Sequence, residues 1–166
     1  MKRAILLRHA TALQASDDAL RELSAEGVQE AVRAGGKIAA LGADWAPTRA
    51  LCSTALRASA TLAAAQPALA ALTHSELDAR LYLASAAELL AALQRVGEAE
   101  ECVLVVAHEP GLSDLVRLLA RRAAPGVRAR LARGFSPASF AVLSLAVARW
   151  QDARPGCAEL ARVETR

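Results

Sequence analysis

The sequence predicts an α/β fold in three layers, with a mostly parallel central sheet flanked by helices. Three observations lead there. Short apolar runs of strand length alternate along the chain with longer stretches of helical period. Three of those junctions carry chemistry-bearing residues just ahead of or within a helix start: Arg8 with His9, Ser53 to Arg57, and His108. The third observation is size and composition: 166 residues, 54% hydrophobic and 22% charged, can bury a proper core and are neither disordered nor fibrous. No internal repeat interrupts the pattern, so residues 1–166 are read as a single domain.

In chain order, Ala4 to Leu7 is a continuous apolar run, and a strand is expected over 3–8. Arg8 and His9 stand where it opens into a loop, the place at which open α/β sheets bind ligands. Residues 11–23 read as loop, with Ser16, Asp17 and Asp18 as a polar turn. Ser24 can cap a helix over 25–41, in which Val28, Val32, Ile38 and Leu41 form the expected inward stripe and Gly42 the stop. A strand over 49–53 passes through Ser53 and Thr54 into an Ala-rich helix over 57–70. Arg57 therefore falls in its first turn, where backbone N–H groups and the helix dipole favour an anion. A weaker strand near 73–79 follows, then a helix over 86–96 with Glu88 on its surface. The β-branched run 102–107 is a strand ending at His108. Pro110 cannot continue it and, with Gly111, suits the start of a helix over 111–122. Residues 123–138 read as loop, and strands over 139–146 and 157–163 complete the sheet.

Composition narrows the function. The apolar run at the N-terminus is too short for a signal-peptide core or a membrane span, so a soluble protein without membrane association is expected. Cys52, Cys102 and Cys157 show no metal or redox spacing and are expected to be reduced core residues in a cytoplasmic setting. The net charge is +3, but Arg117, Arg121, Arg122, Arg128, Arg130 and Arg133 fall in one stretch. It lacks aromatic residues on which bases could stack, which argues against nucleic acid. A solvated helix end is the plain reading, and attraction of an acidic or phosphorylated protein is the functional one. His74, with no motif around it, is read as structural.

Taken together, the ordered motifs resemble the histidine phosphatase superfamily, of phosphoglycerate mutase-like fold, and most closely its small phosphohistidine phosphatase branch of the SixA type. Arg8-His9-Ala10 stands for the family's Arg-His-Gly, with alanine in the third place. Ser53, Arg57, Ala58 and Thr61 match Ser-x-x-x-Arg-Ala-x-x-Thr, with Thr54 where proline is frequent. His108-Glu109-Pro110 matches the later histidine, and Arg21, Leu23, Ser24 and Gly27 match the Arg-x-Leu-Ser/Thr-x-x-Gly element of the branch. Order and spacing agree over residues 3 to 145.

The resemblance implies a phosphatase that needs no cofactor and no metal. Catalytic residues would be His9, His108, Arg8 and Arg57, and substrate-binding residues Arg8, Arg57, His108 and Arg21. Phosphoryl transfer is catalysed mainly by positioning and electrostatics, and each arginine can donate two parallel hydrogen bonds to phosphoryl oxygens. His9 would attack phosphorus, forming a covalent phosphohistidine that water hydrolyses. For that it must be neutral, with Nδ1 held by a backbone carbonyl and Nε2 free. His108 would donate to an oxygen across the phosphate.

One departure bears on the substrate. Many relatives carry an acid after the second arginine motif that protonates an alkoxide leaving group. Here the matching place is Ala79, with Asp78 on the other face if the segment is a strand. A departing imidazole needs no such acid, and the chain is too short for the insertion that encloses small metabolites. These points favour phosphohistidine on a phosphorelay or phosphotransfer protein. Two alternatives stay open: a small-molecule phosphate ester phosphatase or mutase with Asp78 as acid, and a phosphohistidine-binding module without turnover.

Overall fold

The computed structural model describes residues 1–123 and 125–165. Seven strands form one sheet: β1 (Lys2–Arg8), β2 (Arg49–Ser53), β3 (His74–Asp78), β4 (Cys102–Ala107), β5 (Ala120–Ala123), β6 (Phe140–Leu145) and β7 (Ala158–Glu164). Their spatial order is β3-β2-β4-β1-β6-β7-β5. Only β6 runs against the others, pairing antiparallel with β1 and β7. The helices are α1 (Ala25–Ala39), α2 (Leu56–Ala65), α3 (Ala86–Gln94), α4 (Gly111–Leu119) and α5 (Pro125–Ala132).

Layering follows from the two-residue period of the strands. Ile5 and Leu7 of β1 with Leu104 and Val106 of β4 face one way and pack with Ala31, Ile38, Ala58 and Leu62 of α1 and α2. Ala4 and Leu6 with Val103 and Val105 face the other way, onto Leu89, Leu93, Leu112, Leu115 and Leu119 of α3 and α4. Both faces of the central strands are therefore apolar, as parallel sheets require. The three-layer α/β arrangement expected from the sequence is the one observed.

Two expectations need correction. The inward stripe of α1 is not carried by its valines: Val28 is 41% and Val32 48% exposed. The buried face is Gly27, Glu30, Ala31, Ala34, Gly35 and Ile38. Small residues occupy it because α1 lies close against α2; a Cβ on Gly35 would stand 2.4 Å from the Ala65 carbonyl oxygen. The second correction concerns the basic stretch. The helix expected over 111–122 ends at Leu119, Ala120–Ala123 is a strand, and the expected loop 123–138 contains α5. β5 exists because β7 offers its edge at long range, which no local pattern announces.

The N-terminus of α1 is locked to the loop after β1. Ser24 Oγ accepts from Gly27 N–H at 3.0 Å, capping the helix. A Cβ at Gly27 would fall 2.0 Å from the Thr11 carbonyl oxygen, whereas Gly36 of the same helix has nothing within 4 Å of its Cβ position. Gly27→Ala should therefore destabilise the fold by about 1–3 kcal/mol through overpacking. Gly36→Ala should stabilise it by about 0.5–1 kcal/mol through helix propensity alone. Urea unfolding of the two variants checks this pair; equal effects would show that the loop does not pin α1.

Candidate active site

The carboxyl ends of β1, β2 and β4 lie side by side, because β4 pairs with both β1 and β2 in parallel register. His9 follows β1, Ser53 ends β2 and His108 follows β4. Arg57 enters from the first turn of α2. His9, Arg57 and His108 are 7%, 2% and 2% exposed, which is uncommon for such residues unless they are paired.

Pairing is what the geometry shows. Arg57 Nε donates to His9 Nε2 at 3.2 Å. Its Nη2 lies 3.3 Å from His108 Nδ1 and donates to Asp18 Oδ2 at 3.0 Å. Its Nη1 donates to the Asp18 carbonyl at 2.6 Å. On the far side of His9, Nδ1 lies 2.8 Å from the Ala10 carbonyl oxygen, so the ring hydrogen sits on Nδ1 and the Nε2 lone pair faces the guanidinium. His108 Nε2 lies 2.8 Å from Ser53 Oγ, which also accepts from Ala55 N–H at 3.2 Å. With Arg57 donating to Nδ1, the His108 hydrogen sits on Nε2 and points to Ser53. The two imidazole centroids are 5.2 Å apart.

Arg8 is the second cation. One of its terminal nitrogens donates to the Phe135 carbonyl. Its Nε is buried without a hydrogen-bond partner, an expense that a polar group tolerates where a ligand completes it. Glu109 holds the loop around it: one carboxylate oxygen accepts from Phe135 N–H and the other from Ser113 N–H at 3.1 Å. Thr61 ties the remaining loop to α2, accepting from Ala10 N–H at 2.9 Å and donating to the Arg57 carbonyl at 2.6 Å.

Electrostatics follow from this crowding of cations. Burial pushes His9 down to about 4; Arg57, Arg8 and Arg21 push the same way, against the Ala10 hydrogen bond. Burial, then His9 and Arg57, push His108 down to about 3. Both rings are thus neutral at pH 7. Asp18 is also pushed down, held at about 2 by the Tyr82 hydroxyl and by Arg57 and Arg21, and as a carboxylate it is therefore ionised. The cluster can hold an oxyanion beside an unprotonated imidazole nitrogen.

Of the expected site residues, Arg57, His9 and His108 are in direct contact. Arg8 is near enough to act on both rings electrostatically. Arg21 is one step back: its Nε donates to the Leu13 carbonyl at 2.8 Å and its Nη1 to Asp18 Oδ1 at 3.3 Å. Asp78 belongs to another cluster, accepting from Arg80 backbone and side chain and lying 3.9 Å from Arg95. Sequence reasoning missed two participants. Asp18 looked like part of a polar turn, and Tyr82, which donates to Asp18 Oδ2 at 2.6 Å, stood in no motif. The signal that could have found Tyr82 is its being the chain's one tyrosine, four residues past the end of β3 and flanked by Leu81 and Leu83.

Elsewhere, all three cysteines are buried and free, and burial pushes Cys52 and Cys102 up to about 12. Among the described residues no group of three or more His, Cys, Asp or Glu converges to hold a metal ion, and no helix is long and apolar enough to cross a membrane. Of the basic stretch, Arg130 and Arg133 line an open cavity with Arg8, Phe135 and Ser136.

No family model matches the chain. An uncharacterized protein of Mycobacterium tuberculosis is 36% identical over 148 residues, which cover 84% of this chain and 85% of that protein. A solved structure from Nakamurella multipartitia, provisionally named phosphohistidine phosphatase SixA, is 32% identical with a TM-score of 0.85, covering 98% of this chain and 95% of its own. One from Agrobacterium tumefaciens, provisionally given the same name, is 25% identical with a TM-score of 0.80, covering 99% and 98%.

Neutral imidazoles beside a buried guanidinium make a checkable statement about protons. Ring NMR should give His9 and His108 midpoints near 4 and 3. The unfolded chain takes up the same protons near the ordinary value of about 6.5. Their contribution to stability is therefore fully present above pH 6.5 and is lost as pH falls from there through 4 and 3. Replacing both by asparagine should flatten that dependence in denaturant titrations. A midpoint near 6.5 for either ring would contradict the burial seen here.

Proposed function

As the chain belongs to the histidine phosphatase superfamily, in its small SixA-like branch, we propose that it is a phosphohistidine phosphatase acting on a phosphorylated protein through a covalent intermediate on His9. It is a phosphatase by family; the substrate and residue roles are our reading. The observation that carries the reading is the state of the carboxylates around the cluster. Asp18, which touches Arg57, is ionised and so has no proton to give. Glu109 is committed to two backbone N–H groups, and Asp78 faces Arg80 and Arg95. A site without an acid suits a leaving group that needs none, and a neutral imidazole is one, whereas an alkoxide is not.

In this mechanism Arg57 Nε and Nη2 turn from the two histidines to the phosphoryl oxygens, and the unpartnered Arg8 Nε takes another oxygen. His9 Nε2 attacks phosphorus while its Nδ1–H remains on the Ala10 carbonyl. When His108 changes tautomer, its Nε2 hydrogen leaving to solvent as Nδ1 takes one from solvent, Ser53 Oγ, already accepting from Ala55 N–H, turns to donate a hydrogen bond to the bare Nε2. His108 can then present an Nδ1–H to a phosphoryl oxygen once that oxygen separates it from Arg57. The open cavity of Arg8, Arg130 and Arg133 offers room and positive charge for a protein-borne substrate.

His9→Ala should abolish turnover with the fold intact, and wild type quenched in mid-reaction should carry an acid-labile, alkali-stable phosphate; activity in the variant would end this mechanism. Arg57→Ala should lower kcat by roughly 10²–10³, as expected for one preorganised transition-state donor, and lysine should not restore it because the fork is lost. Substrate discrimination is the sharper test. By kcat/KM, phosphohistidine peptide should exceed p-nitrophenyl phosphate, with phosphoserine peptide and phosphoglycerate nearly inert. Asp78→Asn should change phosphohistidine turnover by less than about threefold, far below the loss of a true general acid. Good turnover of alkyl phosphates that collapses in the Asp78 variant would identify a small-ester phosphatase instead.

A further inference from the structure

Asp18 has no role in the mechanism above, yet it is fastened to the centre of the site. We infer that the Asp18 carboxylate, held by Tyr82 and Arg57, is the acceptor for the distal ring N–H of the departing histidine and selects a cationic phosphoimidazole over a phosphate ester. The inference rests on the reading of the substrate as phosphohistidine and adds to it the group that recognises the leaving ring.

The geometry divides Arg57 into two edges. Nε meets the attacking nitrogen of His9, while Nη1 and Nη2 meet Asp18. A phosphoryl group seated on the guanidinium would have His9 at one edge and the Asp18 carboxylate at the other, and in-line transfer places the departing nitrogen away from the attacking one. The carboxylate is 47% exposed, open to an incoming ring. It is also held in place, by Tyr82 Oη at 2.6 Å and Arg21 Nη1 at 3.3 Å.

The chemistry calls for such an acceptor. A phosphohistidine ring releases its phosphoryl group readily when its other nitrogen is protonated, since the P–N bonding pair then returns to a cation and a neutral imidazole leaves. His9 undergoes the reverse change: its Nε2 lone pair forms the new P–N bond and the positive charge passes to the His9 ring. The protein supplies the His9 side with an acceptor at Nδ1, the Ala10 carbonyl. Asp18 supplies the matching acceptor to the other ring, making the exchange between two imidazoles nearly symmetrical. Because that ring's free nitrogen titrates near neutrality, an adjacent carboxylate raises the fraction in the labile form. The same carboxylate repels the anion that develops on a departing phenolate or alkoxide, which adds to the missing acid in disfavouring esters.

The test is Asp18→Asn, similar in size and partly exposed, with Tyr82→Phe as a milder variant that removes one of the groups holding the carboxylate in place. Folding of both is checked by circular dichroism and thermal unfolding. Against a phosphohistidine peptide, Asp18→Asn should lose at least about tenfold in kcat/KM, the size of a one-unit change in ring pKa. Its alkaline limb should move to lower pH by about the same unit. Against p-nitrophenyl phosphate it should gain about two- to threefold. Tyr82→Phe should move both substrates in the same directions by less. Parallel losses on both substrates would mean that Asp18 only positions Arg57, and parallel gains that it only obstructs Arg57; either overturns the inference, as does an unmoved alkaline limb. If wild type itself fails on phosphohistidine while cleaving esters, the substrate reading falls first and this inference with it.

Discussion

One buried guanidinium organises this molecule. An ionised group with 2% exposure is tolerated only where its N–H groups are satisfied, and Arg57 meets that demand with partners from three other segments: the loop after β1, the turn at Asp18 and the end of β4. The demand runs both ways. Partners able to accept from a cation must be neutral or anionic, so the contact with Arg57 adds to burial in keeping His9 and His108 unprotonated, and to the Tyr82 hydroxyl in keeping Asp18 ionised.

Holding that charge in register is the work of the sheet. β4 lies between β1 and β2, so three chain segments far apart in sequence end at one level, with both faces of the central strands sealed by helices. The loops beyond the strand ends are not left to wander. Thr61 stitches Ala10 to the backbone of Arg57, Glu30 takes Thr11 N–H at 2.9 Å, and Gly27 lets α1 close onto Thr11. These contacts fix the loops that carry His9 and Arg57.

The carboxylates are divided by their partners. Glu109 shapes the backbone beside Arg8, Asp78 joins a peripheral group with Arg80 and Arg95, and Asp18 alone among these touches Arg57. All three are acidic side chains close to the motif residues in sequence or space, and composition cannot rank them. What separates them is which cation or N–H each one faces.

Much was legible in the chain itself. The apolar runs that became β1, β2, β4 and β6 have the length expected of buried strands, and Ser24, Pro110 and Gly111 mark helix starts by local turn chemistry. Arg8, His9, Arg57 and His108 were legible because each lies within a residue or a turn of such a junction, so local spacing sufficed to bring them to one edge of a parallel sheet. The valines of α1 misled because hydrophobic stripe reasoning assumes large side chains point inward, whereas most of the buried face is Gly and Ala, with Gly35 lying against Ala65 of α2. β5, the Glu109 to Phe135 bond and the union of Tyr82, Asp18 and Arg57 came from the tertiary structure alone. Each joins segments between 26 and 64 residues apart or pairs one strand with the edge of another, and such contacts are set by how the strands are ordered in space. The sequence by itself determined that Arg8, His9, Arg57 and His108 stand at strand-to-helix junctions; only the fold decided which of its carboxylates would stand against them, because that depends on distance in space and not along the chain.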